Sequence, residues 1–234
     1  AFDLTPNGSD SQLVISSTGN TAVEGDLTIL DADGVTIGTS SNSEDSTEVY
    51  HTIAGSAVIH ANDVNLSNRA NGACIRGDLT VEAADSVQII NESKTTAALT
   101  GGAYRIKTDD LNMRNFVGPT VNGPITLSPV EGGKYGGNHH IYGCTTGAIP
   151  VVQGRVIVEG SDLILRNNNY YRDSSDEQYA QYRDNSADGP LLVGDLTATG
   201  SERISLLRDD DGTTPLVTGN VSLTDCLCSG SGYA

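Results

Sequence analysis

The stretch "IRGDLTV" (Ile75–Val81) alternates apolar and polar positions, and variants of it recur along the chain. "VEGDLTI" begins at Val23, "VNGPITL" at Val121, "VQGRVIV" at Val152, "LVGDLTA" at Leu192 and "VTGNVSL" at Val217. The shared template is apolar, any, Gly, any, apolar, small or β-branched, apolar. Alternate positions of an extended chain share a face, so each copy predicts a half-buried strand. The template puts Gly25, Gly77, Gly123, Gly154, Gly194 and Gly219 on the inward face. A strand glycine marks a bend or a close approach of backbones, which here reads as a corner around a narrow core.

These six copies start 52, 46, 31, 40 and 25 residues apart. Each interval fits one or two coils of about 20–26 residues, with an insertion at the 31-residue step. Looser relatives are "HANDVNL" from His60, "TDDLNM" from Thr108 and "EGSDLIL" from Glu159. Coils of that length stack into a β-solenoid, and roughly ten of them at ~4.8 Å would make a rod of about 45–50 Å. The expected fold is therefore all-β, a β-solenoid forming a single domain over residues 1–234. A β-sandwich or jelly roll is the alternative, because it also alternates short strands with Gly, Asn and Asp turns. The pattern resembles right-handed parallel β-helix proteins at the level of fold, over about residues 12–228. That resemblance implies no catalytic residues.

The Arg-Gly-Asp tripeptide inside "IRGDLTV" is explained by the repeat. Arg76 stands where other copies have Glu24, Asn122, Gln153, Val193 or Thr218, and Asp78 follows its Gly as Asp26 and Asp195 do. It is read as repeat variation, not as an adhesion signal.

Charge narrows the function classes. With 13 Lys and Arg against 30 Asp and Glu, the net charge is −17. Nucleic acid and anionic membranes demand basic surface, so both are excluded as expected partners. An acidic surface suits self-repulsion or bound cations. Asp31 and Asp33 in "DADG" and Asp209 and Asp211 in "DDDG" resemble the start of calcium loops. Asn42 and Asn220 stand where an EF-hand needs Glu, so turn chemistry competes with calcium, and no cofactor is required. No run of 18 apolar residues predicts a membrane span. A start at Ala1 without a hydrophobic leader reads as a mature secreted chain, with a trimmed chain as the alternative. Cys74, Cys144, Cys226 and Cys228 permit two disulfides in an extracellular protein, with free buried thiols as the alternative. In "CLC" the two thiols share a strand face and are poorly placed to bond each other.

Two segments depart from the repeat. The polar insertion Arg166–Pro190 holds Tyr170, Tyr171, Arg172, Tyr179, Tyr182 and Arg183, the residue types that interface hot spots favour. Ser174 and Glu177 make a candidate capping box for a short helix over about 175–184. The Gly-rich "EGGKYGGNHHIYG" (Glu131–Gly143) contains His139 and His140, which face opposite ways in a strand and so make a poor metal pair. Asn-x-Ser sequons at Asn7, Asn65, Asn91 and Asn220 matter only where Asn is glycosylated.

Together these features predict a secreted structural subunit that self-assembles into a fibre, tube or surface layer. Neither polar terminus, residues 1–11 or 229–234, offers an apolar-periodic segment to cap the rod. One alternative is an adhesin or tail-fibre-like binding module that contacts a cell surface or polysaccharide. Ice binding is disfavoured, because Thr28, Thr80, Thr126 and Thr197 form only a single file. The other is a polysaccharide-active enzyme using Asp109 and Asp110 with Arg105 and Lys107, or Asp209 and Asp211 with Arg208. The absence of Trp argues against the enzyme.

Overall fold

The computed structural model describes residues 2–4, 11–39, 49–93, 95–134, 136–143, 149–167, 189–208 and 214–229. Alternating apolar positions build β1 (Phe2–Leu4), β2 (Gln12–Ser17), β3 (Leu27–Thr39), β4 (Ala57–Asn68), β5 (Leu79–Asn91) and β6 (Leu99–Thr100). They are followed by β7 (Tyr104–Asn115), β8 (Val121–Asn122), β9 (Ile125–Ser128), β10 (Asn138–Gly143), β11 (Val152–Gln153) and β12 (Val156–Glu159). The series ends with β13 (Asp162–Asn167), β14 (Leu192–Val193), β15 (Leu196–Thr199), β16 (Ile204–Arg208), β17 (Val221–Thr224) and β18 (Cys228–Ser229). Every strand pair is parallel, which removes the sandwich and jelly roll and leaves a β-solenoid.

The first template position forms one file: Val23, Ile53, Ile75, Leu99, Val121, Val152, Leu192 and Val217, each stacked on the next. Eight stacked residues make seven coil-to-coil steps, so the rod has about 7 turns and not ten. Two further copies complete the file: "IAGSAVI" at Ile53 fits the template with a small Ala at its fifth position, and "LTGGAYRI" at Leu99 carries one extra residue before its core Tyr104. The 52- and 46-residue intervals are indeed two coils each. The 40-residue interval is one coil, and the Tyr-rich insertion lengthens it.

Two further files of core residues follow in each coil. One runs Leu27, Ala57, Leu79, Tyr104, Ile125, Val156, Leu196 and Val221, and the other runs Leu13, Val35, Val64, Val87, Leu111, His139, Leu163 and Ile204. Their branched side chains interlock on a pleated surface and supply the hydrophobic drive for stacking. On the outer face, Thr28, Val58, Thr80, Arg105, Thr126, Ile157, Thr197 and Ser222 stack in one line. The sequence's single Thr file is therefore every second member of this line.

The repeat glycines sit at the corner, half-exposed at Gly77, Gly123, Gly154 and Gly194 and exposed at Gly25 and Gly219. This corrects the inward placement, because strict alternation stops where the chain turns. Their role is close approach between coils. A Cβ on Gly154 would lie 2.2 Å from the carbonyl oxygen of Gly123, and one on Gly194 would lie 2.3 Å from that of Gly154.

The far corner carries a buried polar ladder that alternation alone does not reveal. Thr39, Asn68, Asn91, Asn115 and Asn167 end successive coils, with Gly143 taking one rung. Asn68 Nδ2 donates to Asn91 Oδ1 at 2.9 Å, and Asn91 Nδ2 donates to the Pro119 carbonyl at 2.7 Å. Asn115 Nδ2 reaches the Ile149 carbonyl at 3.2 Å. At this corner amide side chains pair the Thr96, Pro119 and Ile149 carbonyls, while the Arg69, Glu92 and Phe116 amides bond to backbone carbonyls of the neighbouring coil.

Candidate functional site

The Asp of the repeat has a structural task at the glycine corner. Asp26 Oδ1 accepts from the Ser56 amide, Asp78 Oδ1 from the Ala103 amide and Asp195 Oδ1 from the Asn220 amide, each at 2.8 Å. Ser56 Oγ accepts from the Asp78 amide at 3.1 Å, so the bonds pass from coil to coil. Ala103 carries no acceptor, and the next coil has Pro124 there, which has no N–H to satisfy. The Arg-Gly-Asp aspartate thus belongs to this corner, and Arg76 is exposed beside it.

Of the proposed calcium residues, Asp31 and Asp33 are described. Asp31 is exposed and adopts a left-handed bend (φ 58°). The Asp33 carboxylate accepts from Asn62 Nδ2 at 2.9 Å and from Gln12 Nε2 at 3.2 Å. Both line a shallow groove of about 400 Å³ with His60, Asn62, Glu82 and Val130. Among the described residues no group of three or more His, Cys, Asp or Glu could hold a metal ion. Asp209 and Asp211 lie outside the described residues. So do Tyr170, Tyr171, Arg172, Tyr179, Tyr182 and Arg183, and the helix expected over 175–184.

The disulfide framework is corrected where it is described. Cys74 is a free thiol, fully buried in the core, and burial pushes its pKa up to about 12. Cys226 is also free and partly exposed. Cys144 and the side chain of Cys228 lie outside the described residues.

The Gly-rich segment brings His139 and His140 close to Asp109 and Asp110. Its strand β10 inserts His139 between Leu111 and Leu163, at 0% exposure. His139 Nε2 donates to the Thr108 carbonyl at 3.1 Å, leaving Nδ1 as a buried acceptor with no protein partner. Burial holds the imidazole neutral, lowering its pKa to about 4. His140 faces the other way, with its Nδ1 2.5 Å from the Tyr142 hydroxyl and the two rings stacked at 5.3 Å. Adjacent Asp109 and Asp110 separate in the same manner. Asp109 is buried beneath the Gly-rich segment and accepts from the Gly137 amide at 3.3 Å. Asp110 is partly exposed near His140, and burial raises its pKa. Lys107, expected beside this pair, is held instead by Glu82 at 2.9 Å. A second groove, of about 330 Å³, is lined by Gln12, Thr36, Asp63, Asn65, Gln88 and Asn112.

The last coil differs from all those before it. Val221 and Leu223 occupy core files yet are 45% and 36% exposed, whereas Leu196 and Ala198 beneath them are at 0%. At the opposite end, Leu13 and Ile15 of β2 are partly exposed over buried Val35 and Ile37. Among the described residues, β1 and β2 at one end and β17 and β18 at the other pair on one side only. Among the described residues, these terminal strands thus leave backbone N–H and C=O groups without a strand partner on one side, next to partly exposed apolar side chains.

No protein-family model matches this chain, and neither a curated protein nor a solved structure does.

Proposed function

We propose that this protein is a structural subunit that assembles end to end into an extracellular fibre, tube or surface layer. The observation that carries the reading is the exposure of core-file residues Val221 and Leu223 on a strand that, among the described residues, pairs on one side only. Edges of this kind attract further strands, and natural monomers normally blunt or cover them. The acidic surface, 30 acidic side chains against 13 basic ones, keeps such a subunit dispersed until its ends meet. The test is electron microscopy of the concentrated protein, with sedimentation velocity across a concentration series. Rods or layers that lengthen with concentration are expected. A monomer at every concentration would overturn the reading.

A second reading, a binding module for a polysaccharide, is favoured by the groove of Gln12, Thr36, Asn65, Gln88 and Asn112. Thr36, Asn65, Gln88 and Asn112 repeat once per coil and offer amide and hydroxyl groups to a chain of sugar hydroxyls. A glycan-array screen of the wild type against Gln88→Ala separates it from the first reading.

A further inference from the structure

Resting on the structural reading above, we infer that the partner of the C-terminal end is the N-terminal end of a second copy, docked so that the coil register runs unbroken across the junction. Val221, Ser222 and Leu223 then lie against Phe2, Asp3 and Leu4 of the next copy, and Cys228 and Ser229 against Leu13 and Val14.

The register follows from the files. Within one chain Phe2 heads the file that passes through Leu27, Ala57 and Leu79 and ends at Val221. Leu13 heads the file that passes through Val35 and Val64 and ends at Cys228. A second copy placed beyond the last coil begins again with the residues that head each file. The junction thus repeats the interface already present between every pair of coils, with the same strand polarity and the same side-chain faces.

The terminal coils also share a backbone shape. The outer bend of the first full coil is made by Asp31 at φ 58°, and that of the last by Asp225 at φ 52°. The same left-handed bend recurs in interior coils at Gly160 (φ 73°) and Gly200 (φ 68°), so it belongs to the coil geometry that both ends keep. Asp31 and Asp225 each stand two residues beyond a matched core residue, Ile29 or Leu223, in "LTILD" and "VSLTD". The cross-section therefore leaves the rod turning as it entered. A C-end to C-end contact would set strands antiparallel and throw these files out of alignment, unlike any pairing in the molecule. Head-to-tail contact does not close on itself, so it propagates as a filament.

Directed cross-linking tests the register. In a background of Cys144→Ser, Cys226→Ser and Cys228→Ser, the added pair Ser222→Cys and Asp3→Cys should give a ladder of covalent multimers on mild oxidation. Neighbouring parallel strands lie ~4.8 Å apart, within the Cα separation that a disulfide spans. The pair Ser222→Cys and Thr28→Cys, one coil out of register, should give no ladder. Leu223→Lys should raise the concentration needed for assembly at least tenfold while leaving the circular-dichroism spectrum of the folded sheet unchanged. Dimers alone from Ser222→Cys would show C-end to C-end docking and overturn the inference. Assemblies visible by microscopy without the ladder would overturn the register but leave the structural reading standing. Absence of both would remove the two together.

Discussion

His139 occupies a place that its neighbours above and below fill with leucine, and that substitution of type has a measurable cost. Its ordinary pKa of about 6.5 describes the unfolded chain, and burial lowers the folded value to about 4. The unfolded state binds the proton first, so stability is full above about pH 6.5 and falls as pH drops toward 4. The loss over that window is about 3 kcal/mol from this group alone. His139→Leu should abolish that component, as read from urea midpoints at pH 7 and pH 4.5. An equal acid loss in both proteins would place the titration elsewhere. A second residue-scale expectation separates steric cost from conformational cost. Gly77→Ala, at a glycine without a left-handed φ, must move its Cβ off the Gly55 backbone 2.7 Å away and should lose about 1–3 kcal/mol. Gly200→Ala meets open space and carries only the cost of a left-handed φ of 68°, about 1–2 kcal/mol. Thermal unfolding of the two variants should rank them in that order.

Among the elements, the strands were more legible than the corners. Period-2 alternation is a strong signal where one face is buried, so "VEGDLTI" and its kin foretold parallel stacking files. The Asn ladder was missed although "VNLSN", "VQIIN", "LNMRN" and "LILRN" each end in Asn. An Asn after an apolar strand usually reads as turn chemistry, and its burial depends on which coil lies above it. Pairing of Asp78 with the Ala103 amide was hidden for the same reason, since a partner 25 residues away leaves no local trace. The His139–Asp109 corner was half legible. Opposite facing of the two histidines follows from strand geometry, but the burial of Asp109 depends on the fold of the Gly-rich segment. The ladder's worth can be measured. Asn91→Ala strands the Pro119 carbonyl and removes one of the two acceptors of Asn68, and should cost about 2–4 kcal/mol in urea unfolding. The exposed corner variant Glu24→Ala should stay within about 0.5 kcal/mol. Equal losses would mean the ladder is no more than surface polarity turned inward.

For the whole molecule, a net charge of −17 works against any end-to-end contact between copies. The Debye length shrinks from about 30 Å at 0.01 M salt to about 10 Å at 0.1 M. Light scattering should therefore show assembly at lower protein concentration as salt rises over that range. A rise in the threshold would mean that attraction between unlike charges drives the contact instead. The outer file of Thr28, Val58, Thr80, Arg105, Thr126, Ile157, Thr197 and Ser222 gives the rod a parity. Backbone layers recur every ~4.8 Å, but the threonines recur only every second layer, about 9.6 Å apart. Excising the coil from Ile53 to Cys74 would set Thr28 directly against Thr80 and invert the phase of everything beyond it. The aliphatic files would close on partners of the same kind, Ile29 on Val81 and Val35 on Val87. A surface that reads this face would register it fully, and only removal of a second coil would restore the original rhythm.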